Sequence, residues 1–183
     1  VQRYLRLFGS VYHVDSGEKG YESAIKQCIQ AALISPKFLY RIESDSKFTK
    51  PYRINSFELA SRLSYFLWAS MPDDELLNAA INGDFNHPEV LAKQIGRMVK
   101  DSKSDTLGSL FAAQWLGFGL LGNRIRLDPI DNPWCTDSLM QSMRDESALF
   151  FVSLVRDNRP IEDLINAPYT FMNEELSREI YGM

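Results

Sequence analysis

Chemistry in this chain would have to come from a few carboxylates and arginines. The most informative is Glu146, which follows Leu139 by seven positions and Met143 by three and precedes Phe150 by four. On a helix of 3.6 residues per turn those offsets put a carboxylate on an apolar stripe. Such a group must be neutral, paired or hydrogen-bonded, because stranding its charge away from water is costly. Two other segments supply partners. Glu58 and Arg62 lie one turn apart on an otherwise apolar stretch, and Arg41 follows a run that begins at Pro36. The expectation is that Glu146 or Glu58 pairs with Arg41 or Arg62. The structural use of such a pair is to lock helix register. The chemical use is a carboxylate of raised pKa acting as an acid or base.

The remaining inventory is thin. Asp73-Asp74-Glu75 follows Pro72 and reads as a first helical turn whose acids complement the helix dipole, since a magnesium site would want substrate phosphates and no phosphate loop occurs. His13 and His87 stand far apart, and Cys28 and Cys135 form no C-x-x-C, so no metal site is expected. A disulfide between the two cysteines is left open. There is no G-x-S-x-G elbow, and Gly117, Gly119 and Gly122 lack the preceding strand of a dinucleotide fingerprint. Trp68 and Trp115 read as core. Trp134, in a proline-containing loop, reads as a partner contact or a sugar-facing surface.

Composition narrows the class. The 183 residues are 45% hydrophobic and 12% aromatic, which excludes bulk disorder. The net charge of −4 gives no basic footprint for nucleic acid. No apolar run reaches the ~18–20 residues of a membrane span.

Apolar residues recur at helical spacing almost throughout, and no alternation of useful length suggests strands. Helices are predicted over Tyr21–Ile34, from Pro36 to Ile42, and from Asn55, where Asn55 and Glu58 have the spacing of a capping box. Further helices run from Pro72 to the Asn82-Gly83 stop, from Pro88 to Lys100, from Thr106 to Leu116, from Asp137 to Val155, over Ile161–Asn166, and from Glu174 after an Asn173 cap. The prediction is an all-α fold, an irregular multi-helix bundle around a central apolar helix at about 55–69. The polar run Glu43–Tyr52 separates an N-terminal module (1–46) from a core domain (52–183). Val1 opens on what reads as helix interior, so the chain is expected to be a piece of something longer.

Five strings carry a family resemblance: SPKFLYR (Ser35–Arg41), ELASRLSYFLW (Glu58–Trp68), PDDELL (Pro72–Leu77), QWL (Gln114–Leu116) and YTFMNEELSREIYG (Tyr169–Gly182). In this order they resemble the helical core of large multidomain proteins abundant in planctomycetes and related bacteria, which join domains of unknown function to a c-type cytochrome module. The resemblance implies an extracytoplasmic setting, other modules or a c-type cytochrome as partners, and haem on a neighbouring module, with no cofactor in this chain. It assigns no catalytic residue. The expected role is a non-catalytic scaffold or interaction module. The alternative is a component of an oxidoreductase or hydrolase using the Arg41, Glu58, Arg62 and Glu146 cluster.

Overall fold

The computed structural model describes residues 1–14, 17–40 and 52–183. It divides into two compact units, Val1–Arg53 and Ile54–Met183. Arg41 and most of the Glu43–Tyr52 run lie outside the described residues. Among the described residues there is no strand, only a single bridge between Leu121 and Ile125, so the fold is all-α.

The first unit pairs α1 (Gln2–Tyr12) with α2 (Glu18–Leu33). Small residues permit the close approach: Gly20 and Ala24 are the buried positions of α2. Phe8 stacks on Tyr12 at 5.8 Å and meets Tyr21 edge-on at 5.6 Å. The short α3 (Pro36–Leu39) starts as the Ser35-Pro36 pair predicts, with Ser35 extended and proline in the first turn, where its missing N–H is not needed. Cys28 is half-buried and directs its thiol at the Tyr4 carbonyl (3.5 Å). Both cysteines are free thiols.

The second unit begins with α4 (Ser56–Trp68), opened by the predicted capping box: Asn55 Oδ1 accepts from the Glu58 N–H at 2.9 Å, and Glu58 Oε2 accepts from the Asn55 N–H at 3.2 Å. Its buried face is Ala60, Ser64, Leu67 and Trp68. That face packs on α5 (Asp74–Asn82) and α6 (Pro88–Lys100), and Leu76, Ala79, Met98, Leu107 and Phe151 complete the core. The rest of its surface leaves Tyr65 and Phe66 exposed, as is Phe57 in the first turn. The apolar helix is therefore one wall of the core rather than an axis wrapped on all sides.

The predicted helix Thr106–Leu116 is the main departure. A 3₁₀ turn over Ser102–Asp105 runs into a π-helix, Leu107–Ala112, and only Ala113–Trp115 (α7) is α-helical. The π segment lies on α8 (Asp137–Arg156) at close range. A Cβ on Gly108 would collide with the Ala148 carbonyl oxygen and come within 2.9 Å of Val152 Cγ2. The wider i→i+5 turn shifts the helical phase. Ala112 and Ala113 go inward, while Leu110, Phe111 and Trp115 turn out. Trp115, expected in the core, is 57% exposed for this reason; Trp68, with 2% exposure, is core as expected.

After α8 the chain forms α9 (Asp163–Asn166) and α10 (Glu174–Glu179). Asn173 caps α10 by accepting from the Leu176 N–H at 2.9 Å, and α10 packs on α8 through Leu176.

Candidate functional site

Asp73 caps α5, its Oδ1 accepting from the Leu76 N–H at 2.9 Å. The same carboxylate takes a fork from Arg97 on α6, at 2.6 Å and 3.1 Å. Glu75 lies 3.3 Å from Arg97 Nε, and Gln94 bridges the two, accepting from Arg97 and donating to Glu75 at 2.9 Å. Arg97 and Lys103 sit over the Trp68 ring, at 5.4 Å and 4.8 Å from its centroid, while the indole N–H donates to the Met98 carbonyl at 2.9 Å. The Arg97 hydrogen bonds hold the Asp73 carboxyl below its ordinary range, against the opposing pull of partial burial. Two acids of the run at Pro72, Asp73 and Glu75, are thus engaged by Arg97, Gln94 and a helix end. Among the described residues no group of three or more His, Cys, Asp or Glu is arranged to hold an ion.

Arg156, in the last turn of α8, forms a second knot. Its guanidinium donates to the carbonyls of Val99 and Asp101 at 3.3 and 3.1 Å and to Ser104 Oγ at 2.9 Å, and it lies 2.8 Å from the Asp105 carboxylate. Ser104, fully buried, passes its own proton to the Val99 or Asp101 carbonyl, each 2.7 Å away. These bonds satisfy the carbonyls left open where α6 ends. Sequence reading missed Arg97 and Arg156. The signal available was a basic residue in the last turn of a helix, but their partners lie 24 and 51 to 57 positions away.

Glu146 occupies a different setting. It is half-buried on α8 and accepts hydrogen bonds at Oε1 from Thr170 Oγ1 and the Tyr181 hydroxyl. Among the described residues it forms no ion pair, and two hydroxyls hold it. The bond to Glu146 holds the Tyr181 phenol above its usual range, aided by burial. Nearby, Glu175 accepts from Ser138 at 2.8 Å and Ser142 at 3.2 Å. Of the other predicted cluster members, Glu58 is engaged in the cap of α4, Arg62 is exposed on the same helix, and Arg41 lies outside the described residues. Glu146 lines a cavity of about 220 Å³ between α8 and the chain at Phe171 to Leu176.

A third feature is apolar. Phe111 stacks on Trp115 at 5.9 Å and meets Phe66 edge-on at 5.5 Å, and both Phe111 and Trp115 touch the buried Phe151 ring. Tyr65, Phe66, Leu110, Phe111 and Trp115 are each at least 40% exposed, so three adjoining elements, α4, the π segment and α7, present an aromatic face rooted in the core. Trp134, 45% exposed in the loop before α8, is a separate apolar point.

Residues 54–183 match the profile of a family described as PSD4, protein of unknown function (DUF1592), and the chain belongs to that family. The matched range coincides with the second structural unit. No curated protein and no solved structure matches the chain.

Proposed function

We propose that this DUF1592 chain is a non-catalytic helical scaffold whose exposed aromatic face seats a neighbouring module of a larger protein or assembly. The observation that carries the reading is the contrast between its polar and apolar groups. Asp73, Arg97 and Arg156 are committed to internal bonds that fix helix ends and junctions. Phe111 and Trp115 are ordered by contact with Phe151, and Phe66 by contact with Phe111, and yet all three are left to solvent. A rigid aromatic surface loses little side-chain entropy on association, which makes it a good anchor. The π-helix that turns those rings outward is a backbone choice often found at working surfaces.

The resemblance to planctomycete multidomain proteins supports naming the neighbour as a c-type cytochrome module and the setting as extracytoplasmic, with haem carried by that module. Trp134 is a second contact in this reading. The test is a titration of the haem-bearing module against this chain, followed by haem absorbance and calorimetry. The double variant Phe66→Ser/Trp115→Ser should keep its helical signal and lose at least about tenfold in affinity, since anchor side chains of this size carry ~2 kcal/mol or more. Equal binding by the double variant contradicts the reading.

The cavity beside Glu146 favours one second reading, a hydrolase or oxidoreductase component using that carboxylate. It is the weaker one: the carboxylate has two hydroxyl donors on one oxygen, and a cavity of 220 Å³ is small for a substrate site. Activity abolished by Glu146→Gln in a folded chain would replace the scaffold reading.

A further inference from the structure

The stretch Tyr169–Met183 is fastened to α8 by a chemistry unlike that of the core. None of its residues belongs to the main core cluster, and α10 buries one side chain, Leu176. Phe171, Met172, Ile180 and Tyr181 are each more than a third exposed. An open groove of about 220 Å³ lies between the stretch and α8.

Beyond Leu176 and an edge-on contact of Tyr169 with Phe150 of α8 at 5.6 Å, what holds it is a seam of hydrogen bonds. Thr170 and Tyr181 both donate to Glu146, Ser138 and Ser142 donate to Glu175, and Asn173 Nδ2 donates to Ser142 Oγ at 2.8 Å. Tyr169 and Ser153 share a further hydroxyl bond at 3.1 Å. Among the described residues no ion pair crosses the seam; Arg178 pairs with its neighbour Glu179 at 2.7 Å. The bonds that end on carboxylates are the strong ones, since a charged acceptor roughly doubles the strength of a neutral hydrogen bond. Few buried apolar contacts and an adjacent open groove mark a segment of low local stability.

We propose that Tyr169–Met183 is a strap that opens as a unit ahead of the core, latched by the charge on Glu146, and that its opening frees the Glu146 carboxylate from both of its hydroxyl donors. Closed, the strap saturates one oxygen of Glu146 with its own hydroxyls. This inference rests on the seam alone and is independent of the aromatic face.

The experiment is native-state hydrogen exchange on the whole chain at pH 7. Reporters for the strap are the amides of Leu176, Ser177, Ile180 and Tyr181, which are bonded within the strap to Asn173 and Leu176. Reporters for the core are the amides of Leu67, Trp68, Val152 and Leu154. In the unmodified chain the strap should exchange faster than the core. Glu146→Gln keeps shape and an acceptor but removes charge; it should lower strap protection roughly tenfold and leave core protection unchanged. Tyr181→Phe should produce a smaller loss in the same direction. Three results overturn the proposal: strap amides as protected as the core, strap protection unaffected by Glu146→Gln, or core protection falling together with that of the strap.

Discussion

Asp73 and Glu146 are both partly buried carboxylates that tie one helix to another segment, and they are fastened in opposite ways. Asp73 accepts a backbone N–H and a two-pronged arginine, and that arginine lies on the face of a buried tryptophan. Glu146 accepts two hydroxyls beside an open groove. The first arrangement is continuous with the hydrophobic core, so breaking it disturbs α4, α5 and α6 together. The second sits at an edge and can fail alone. Charge in a helical scaffold is thus as stable as the apolar material behind it.

The largest effect should come from removing the aromatic plate behind the Asp73 junction. Trp68→Ala leaves a cavity, orphans the Met98 carbonyl and uncovers Arg97 and Lys103. We expect a loss of about 4 kcal/mol in urea unfolding, with strap and core failing together. A loss below ~1 kcal/mol would place the junction outside the core. Next is Gly108→Ala, which has no room for its methyl against the Ala148 carbonyl. It should cost about 2–3 kcal/mol by overpacking and shift the circular-dichroism signature of the π–α8 contact. A neutral outcome would mean that the close approach is loose.

The two junctions should also separate by pH, through Asp73 in one and the Tyr181 phenol in the other. Asp73 titrates lower in the folded chain than in the unfolded one. Its contribution is complete above the unfolded value of about 4 and is lost as pH falls through the lower folded value. Tyr181 titrates higher when folded. Its contribution is complete below the unfolded value of about 10 and is lost as pH rises through the folded value. Stability measured against pH should therefore lose part of its acid slope in Asp73→Asn and part of its alkaline slope in Tyr181→Phe. An exchange of those effects would reverse the assignment. The smallest change is expected for Trp115→Ala, at about 1 kcal/mol, because more than half of the ring is already in water. A core-sized loss of ~3–5 kcal/mol would return Trp115 to the interior.

Much of the fold could be read from the sequence, because local signals and tertiary packing agree. Asn55 with Glu58, Asp73, Asn173 and Gly83 sit at helix ends as their side chains or backbone freedom require. Gly83 adopts φ 74°, the left-handed stop expected after α5. The failures lie where a neighbour overrides periodicity. Gly108 lets the π segment sit down on α8, the turn widens, and every residue placed by a period of 3.6 beyond it is rotated, Trp115 among them. The position of Glu146 on a half-buried face was legible, but its partners were not. Thr170 and Tyr181 reach it from a segment 24 to 35 residues away, and hydroxyls carry no charge pattern to betray them. Arg97 and Arg156 were overlooked for the same reason, since their acceptors are assembled from several elements.

The central claim is that the aromatic face of α4, the π segment and α7 is a seat for a neighbour, while the polar groups serve the fold. Hydroxyl-radical footprinting tests it most directly, comparing this chain alone with the chain in the presence of the proposed haem-bearing module. The account predicts heavy modification of Phe66, Phe111 and Trp115 in the isolated chain and severalfold protection in the assembly, with Phe171 labelled equally in both. Equal labelling of the three aromatic residues in both states would contradict it.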